Sequence, residues 1–89
     1  ARGLSIHPHS SMTALNMVAS LHLLAAIDNP GYFEADATSV NPFRTELAQG
    51  ALDIGKDGRI APPELPGLGV EVDEAFLQRY PLVEGPCYV

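Results

Sequence analysis

The sequence predicts an α/β fold in which one strongly apolar helix connects two neighbouring strand ends. Residues 12–27 contain no glycine, proline or charged side chain, and the turn sequence DNPG at 28–31 follows directly, which predicts a helix that stops there. The segments SIHPHSS at 5–11 and GYFEAD at 31–36 predict strand ends on either side of that helix. Because the order is strand, helix and strand, both strand ends are expected at one edge of a parallel β/α array.

The apolar helix is expected to be covered on several sides. Its large apolar side chains occupy the whole circumference when residues are placed about 100° apart, and a helix of that kind is normally buried all round. These side chains are Met12, Leu15, Met17, Val18, Leu21, Leu23, Leu24 and Ile27. Ser10 and Ser11 precede the helix and offer a hydroxyl N-cap. Since the remaining sequence is rich in turns, we expect the helix to pack against protein outside this chain, which is therefore not expected to fold independently.

Shorter elements are predicted after the aromatic segment. A second helix is expected to begin after Asn41, because Pro42 suits the first helical position. The segment 52–60 predicts a β-hairpin, with the Asp-Gly pair at 57–58 as its turn. A further short helix is predicted at 73–79.

The composition argues against several classes of partner. The 89 residues carry a formal net charge of -6 with only 5 lysines and arginines, whereas binding to nucleic acid or to an anionic membrane needs clustered basic side chains. The longest apolar run is far shorter than the roughly 20 residues of a membrane-spanning helix. The start of the sequence has no apolar signal-peptide region, and the single cysteine, Cys87, is expected to be a spectator in a reducing compartment. We therefore expect a cytoplasmic protein that binds neither nucleic acid nor membranes.

Two histidines, His7 and His9, are the first candidates for chemistry. On a strand, side chains two residues apart point to the same side, which would suit a metal pair or a shared pocket. A zinc site needs three or four nitrogen or sulfur ligands, but Cys87 is remote and His22 lies inside the predicted helix. The pair is either ordinary solvated loop or catalytic, and its place at a strand end before a helix favours catalysis.

Two acids, Glu34 and Asp36, end the aromatic segment. Taken alone they are ordinary solvated carboxylates. The strand, helix and strand order, however, puts His9 and Glu34 on the same rim of a parallel array. A histidine and a carboxylate at one rim make this edge a candidate site for chemistry.

A calcium loop at 53–64 is an alternative of another class. The segment DIGKDGRIAPPE matches an EF-hand loop at its acids, its central glycine and its final glutamate. Gly55 supplies no oxygen ligand at the third position, and Pro62 and Pro63 interrupt the helix that should follow. The segment is thus either a plain hairpin or a small acidic calcium-binding or interaction module.

The order of these motifs resembles a known family. The segments SIHPHSSMTALNMVASLHLLAAIDNPGYFEAD and DGRIAPPELPGLGVEVDEAFLQRY resemble the C-terminal part of enolase-superfamily enzymes, in the mandelate racemase branch with its acid-sugar dehydratases. The resemblance implies the last part of a TIM-type (β/α)7β barrel in residues 1–52, with the end of strand 7, helix 7 and strand 8. Residues 53–89 would then form the C-terminal hairpin and tail, which return toward a capping domain outside this chain.

The resemblance also implies roles for individual residues. Enzymes of this branch remove the proton α to a substrate carboxylate and stabilise the product of that step on Mg²⁺. His9 matches the strand-7 histidine that acts as general base or acid, with His7 as the alternative base. Glu34 matches the strand-8 acid that hydrogen-bonds the substrate carboxylate. His7, Ser10 and Asp36 would support the site or contact substrate.

The implied function is that of a Mg²⁺-dependent sugar-acid dehydratase, of which this chain is a part that is inactive alone. A racemase, epimerase or cycloisomerase of the same superfamily is the alternative. The metal ligands would lie upstream, with none in this chain. The expected partners are a small carboxylate substrate such as a sugar acid, the rest of the same enzyme, and further copies of it in a homo-oligomer.

Overall fold

In the part of the chain that the structure describes, the fold consists of three helices joined by turns and extended segments. The computed structural model describes residues 2–48, 50 and 52–85, and its helices are α1 (Ala14–Ala26), α2 (Pro42–Thr45) and α3 (Glu74–Gln78). None of the helices in these ranges is long and apolar enough to cross a membrane. Of the predicted α/β fold, the described residues show α1 and one point of parallel backbone pairing beside it.

The predicted strand at 31–36 is wrong, because within that segment no strand forms. One isolated parallel bridge joins Ile6 and Pro30 just before it. In this bridge the Ile6 amide donates to the Asn29 carbonyl at 3.0 Å, and the Gly31 amide donates to the Ile6 carbonyl at 2.8 Å. The pairing does not extend, since Pro8 has no N–H with which to form the next rung.

The predicted hairpin at 52–60 is right in its turn and wrong in its strands. The amide of Gly58 donates to the Gly55 carbonyl at 2.9 Å, and the amide of Gly55 donates to the Arg59 carbonyl at 2.7 Å. The Asp57 carboxylate caps the turn by accepting from the Arg59 amide at 3.0 Å. No strand is described within 52–60, so local turn chemistry forms without a ladder to continue it.

The start of α1 differs from the predicted cap at Ser10 and Ser11. The N-cap is Thr13, whose hydroxyl oxygen accepts from the Asn16 amide at 3.4 Å. Ser10 is buried, and its hydroxyl instead accepts a 2.8 Å hydrogen bond from the Ser20 hydroxyl on α1. The chain therefore folds back against the helix before entering it.

The described residues bury the side chains of α1 on one face of the helix, and the cover of its other side by protein outside this chain stays a prediction. Leu23 is 48% exposed, and Met12, just before the helix, is 70% exposed. On the buried face, Ala14 and Val18 form a core cluster with Ala48, and partly buried apolar side chains pack against that cluster. The buried residues of the helix are Ala14, Met17, Val18, Leu21 and Leu24. The turn-rich part of the chain thus covers more of the helix than its composition indicates.

The two short helices begin where the sequence predicts. In α2, Pro42 occupies the first turn and the Asn41 side chain accepts from the Arg44 amide at 3.3 Å. In α3, the Asp73 carboxylate accepts from the Phe76 amide at 3.0 Å. Both caps satisfy amides that a helix start leaves without an intrahelical acceptor.

An aromatic cluster holds α3 against α2. The ring of Phe43 lies 5.2 Å from that of Phe76 and 5.1 Å from that of Tyr80, in tilted and edge-on arrangements that aromatic rings prefer. Phe76 is fully buried. The Leu47 carbonyl also accepts from the Asp73 amide at 2.8 Å, which joins the end of the α2 region to the start of α3.

Candidate active site

The side chains of His9 and Glu34 are in direct contact. His9 Nδ1 and Glu34 Oε1 form a hydrogen bond across the two segments that the Ile6–Pro30 bridge brings together. The side chains remain 80% and 54% exposed, respectively. The structure therefore joins the histidine and the acid that the sequence analysis singled out, at an open edge of the chain.

This contact determines what each nitrogen of His9 can do. An ionised carboxylate only accepts hydrogen bonds, so with Glu34 ionised the proton lies on Nδ1 of the imidazole. Nε2 then carries the lone pair of the neutral ring, and it carries a second proton when the ring is charged. Nε2 is therefore the ring nitrogen of His9 that is free to exchange a proton with another molecule.

His7 makes a different contact from that of His9. Its Nδ1 accepts a hydrogen bond from the backbone amide of Tyr32 at 2.8 Å, so this nitrogen must be unprotonated. The ring lies directly over Gly31, where an added Cβ would come within 2.6 Å of Nε2. Its centroid lies 5.5 Å from that of the Tyr32 ring. His7 thus binds backbone, whereas His9 binds a carboxylate.

Asp36 is held in a network of hydrogen bonds at the start of α2. Its carboxylate accepts from the Thr38 amide at 3.0 Å, from the Thr38 hydroxyl at 2.9 Å and from the Asn41 amide group at 2.9 Å. Arg44 Nη1 lies 3.4 Å from Oδ2 and donates to the Asp36 carbonyl at 2.8 Å. The Asp36 side chain is only 8% exposed.

These partners favour the ionised form of Asp36. The hydrogen bond from Asn41 is the largest cause that lowers the pKa of Asp36 from its ordinary value of 3.8, followed by the amide and hydroxyl of Thr38 and then the charge of Arg44. Partial burial opposes this shift because it disfavours the charged form. Asp36 therefore anchors the segment that follows Glu34 to α2.

Ser10, the residue after His9, is held by α1. It is buried with its hydroxyl against Ser20 of α1, which ties the residue next to His9 to the helix. The contact is non-local, and the local sequence of Ser10 indicates only a helix cap.

Gly31 and Arg44 are not predicted as parts of the site by the sequence. Gly31 lies in the turn sequence DNPG, and that signal explains its presence without reference to the His7 ring. Arg44 is one of only 5 basic residues in the chain, and this scarcity is the one signal that could have led to a search for its acidic partner. The position of Arg44 in the first turn after a proline did not indicate Asp36.

The described residues do not form a metal centre. Within 2–48, 50 and 52–85, no group of three or more histidine, cysteine, aspartate or glutamate side chains converges on a point where an ion could bind. The acids of the segment 53–64 do not form such a group either, and the Asp57 carboxylate caps its own turn. Cys87 lies outside the described residues. The carboxylates needed for Mg²⁺ are thus not assembled by this part of the chain.

A cavity of about 340 Å³ lies between α1, α2 and the turn region. Met17, Phe33, Asp36, Arg44 and Ile60 are among its lining residues, but His9 and Glu34 are not. Two of the polar side chains on its wall, Asp36 and Arg44, are already paired with each other. The exposed His9–Glu34 pair, and not this cavity, is the candidate site.

Comparison with known proteins places the chain among enolase-like proteins. Residues 1–76 match the family model described as enolase C-terminal domain-like. A D-galactonate dehydratase family member of Streptomyces bingchenggensis (strain BCW-1) is 33% identical over 75 residues, which cover 84% of this chain and 18% of that protein. A D-mannonate dehydratase of Caulobacter sp. (strain K31) is 31% identical over 80 residues, again 84% of this chain and 18% of that protein.

A solved structure agrees with these matches. The crystal structure of a member of the enolase superfamily from Polaromonas sp. JS666 is 50% identical and superposes with a TM-score of 0.83. The match covers 98% of this chain but only 23% of the other. The chain therefore spans less than a quarter of the length of each of these three proteins.

Proposed function

Because the chain belongs to the enolase C-terminal domain-like family, we propose that it is the C-terminal part of a sugar-acid dehydratase. The names of two relatives, a D-galactonate dehydratase family member and a D-mannonate dehydratase, support this reaction class. In this proposal α1 is helix 7 of a (β/α)7β barrel, flanked by the ends of strands 7 and 8 within residues 1–52. Residues 53–89 are the tail that returns toward a capping domain, and the exposed side of α1 packs against the rest of the enzyme.

The contact between His9 Nδ1 and Glu34 Oε1 is the observation that carries the proposal. A carboxylate on Nδ1 orients the imidazole and leaves Nε2 as the atom that exchanges protons with substrate. Glu34 uses its second oxygen, Oε2, to hydrogen-bond the substrate carboxylate. One shared proton is needed there, because two bare carboxylates repel each other.

The reaction is the loss of water from a polyhydroxy acid. Nε2 of neutral His9 takes the proton from the carbon α to the carboxylate, and the C–O bond to the β-hydroxyl group breaks as a double bond forms between the two carbons. Protonated Nε2 gives its proton to the departing hydroxyl group, which leaves as water, so the imidazole ends the cycle as it began. The enol that remains becomes a 2-oxo acid by moving its own hydroxyl proton to carbon.

The supporting residues act behind this pair. Asp36 anchors the segment that carries Glu34 through the network around Asn41 and Arg44, and Ser10 ties the segment that carries His9 to α1 through Ser20. Mg²⁺, which the family resemblance implies, does not fit the described residues of this chain and would be held by carboxylates outside it. A homo-oligomeric assembly and a cytoplasmic location stay predictions of the sequence.

A substrate screen of the full-length protein tests the proposal. Sugar acids are incubated with the protein and Mg²⁺, and the 2-oxo acid product is detected by trapping its carbonyl group. We expect at least one sugar acid to lose water, and we expect Glu34→Gln to lower kcat/KM by about 10- to 100-fold, as for loss of a charge-assisted hydrogen bond. Glu46→Gln is the matched control, since Glu46 is also exposed and follows α2. Loss of water from none of the sugar acids, or equal rates for Glu34→Gln and the control, would contradict the proposal.

A further inference from the structure

We propose that His7 is a positioning residue for this site, whose ring sets the register in which Glu34 meets His9. The inference rests on the proposed function for its catalytic consequence, and on the contacts of His7 alone for its structural part. His7 accepts the Tyr32 amide hydrogen bond at 2.8 Å and covers Gly31. His7 therefore binds the segment that carries Glu34 at Tyr32, two residues before Glu34 itself.

A side-chain contact is needed here because the backbone pairing between the two segments ends early. The last backbone hydrogen bond between the two segments runs from the Gly31 amide to the Ile6 carbonyl, and Pro8 cannot donate in a further rung. Beyond that point the described contacts between the two segments are made by side chains. The His7–Tyr32 and His9–Glu34 contacts each join residues 25 apart in the sequence. The His7–Tyr32 contact thus has the same register as the His9–Glu34 contact and lies two residues closer to the paired backbone.

The two partners of His7 fit a ring with an acceptor at Nδ1. Gly31 has no Cβ, and a Cβ at that position would come under 3.0 Å from the ring, so only glycine leaves room for the imidazole at this distance from the backbone. The Tyr32 amide needs an acceptor at the position of Nδ1, which an asparagine carbonyl oxygen can occupy and a phenyl ring cannot. The contact therefore has two separable parts, the ring over Gly31 and the acceptor for Tyr32.

The alternative role for His7 is proton transfer itself, as expected if it were the base in place of His9. In the structure His7 Nδ1 is engaged by a backbone amide, whereas His9 Nδ1 is engaged by a carboxylate. A carboxylate stabilises the charged imidazole that proton transfer creates, and a backbone N–H that must donate to Nδ1 opposes a proton on that nitrogen. The geometry therefore assigns positioning to His7 and proton transfer to His9.

The test uses His7→Asn and His7→Phe in the full-length protein, with His22→Asn as the matched control. His22 Nε2 contacts the Leu68 carbonyl at 2.9 Å, away from the pair. The measurements are kcat and KM for the sugar acid, and hydrogen exchange of a peptide that spans residues 31–34. His7→Asn keeps the acceptor and is expected to retain kcat within about threefold. His7→Phe is expected to lose kcat by up to about 100-fold, as for a misplacement of about 1 Å, and to exchange faster at 31–34.

Two results would overturn the inference. If His7→Asn and His7→Phe both lose activity as completely as His9→Asn does, His7 is a catalytic residue. If His7→Phe matches the His22→Asn control in both kcat and exchange, the contact has no positioning role. The exchange measurement does not depend on turnover, so the two proposals can fail separately. A protein without dehydratase activity would contradict the proposed function. Unchanged hydrogen exchange in His7→Phe would contradict the positioning role of His7.

Discussion

Substitution of Gly31 by alanine tests the close approach of the two segments most sharply. A Cβ at this position would lie 2.6 Å from His7 Nε2, whereas ordinary van der Waals contact begins at 3.4 Å. The ring must therefore retreat by at least about 0.8 Å, and a retreat of that size along the bond would take the 2.8 Å contact with the Tyr32 amide beyond the range of a good hydrogen bond. Glu34 then loses the register in which it meets His9.

The expected cost of Gly31→Ala is that of overpacking a contact without room to relax, about 1–3 kcal/mol. In a barrel-sized domain this corresponds to a decrease of the melting temperature by about 2–4 °C for each kcal/mol. The assay is thermal unfolding of the full-length protein, together with kcat for the sugar acid. Both quantities are expected to fall.

A double-mutant cycle with His7→Ala separates this clash from any general effect of alanine. With the ring removed, an alanine at position 31 meets none of the three imidazole atoms that crowd it, so Gly31→Ala is expected to cost little in that background. Side chains in contact give non-additive effects, and distant ones give additive effects. An equal loss of stability from Gly31→Ala in both backgrounds would refute the reasoning.

Two further predictions concern stability. The pKa of Asp36 is lowered in the folded state by Asn41, Thr38 and Arg44, so its stabilising contribution is fully present above the ordinary value of 3.8 and is lost as pH falls through the lowered value. Between pH 6 and pH 3, the melting temperature should therefore decrease less steeply in Asp36→Asn than in the exposed control Asp28→Asn. Parallel curves of melting temperature against pH would contradict this. The 89-residue chain alone is expected to unfold without a sharp transition, because large apolar side chains such as Met12 and Val40 are 70% and 84% exposed; a cooperative calorimetric transition would contradict that expectation.

The parts of the fold that depend on neighbouring residues could be predicted from the sequence. Asn41 and Asp73 accept from amides three residues further along the chain, so the cap and the helix it starts are read from the same short segment. The extent of α1 follows equally from an uninterrupted run that ends at DNPG. The turn at 57–58 is local in the same sense, because Asp57 and its glycine close it without help from elsewhere.

The parts that failed depend on residues far away in the sequence. A strand at 31–36 needs a partner that can pair along its length, and Pro8 prevents the segment before α1 from being that partner. The cap at Ser10 failed because its hydroxyl is used by Ser20. The hydrophobic pattern of α1 did not indicate which face this chain itself covers, and Ala48 with its neighbours covers one face and leaves Leu23 half exposed.

In the candidate site, too, some contacts could be predicted from the sequence and others could not. The topology of strand, helix and strand was enough to predict that His9 and Glu34 share a rim, and the structure has them in contact. His9 was favoured over His7 as the base from the sequence, but the contact of His7 could not be predicted, because it depends on a backbone amide 25 residues away and on the absence of a side chain at Gly31. The pairing of Arg44 with Asp36 is likewise a tertiary contact.

The most direct test of the central claim is the turnover number of His9→Asn in the full-length protein. His22→Asn is the control, because it makes the same chemical change at a histidine whose ring hydrogen-bonds the Leu68 carbonyl of the tail segment. Since His9 is proposed to exchange the proton itself, kcat is expected to fall by about 10²- to 10⁴-fold in His9→Asn. The melting temperature should change little, because His9 is 80% exposed. A His9→Asn enzyme that dehydrates its sugar acid as fast as His22→Asn would contradict the assignment of proton transfer to His9.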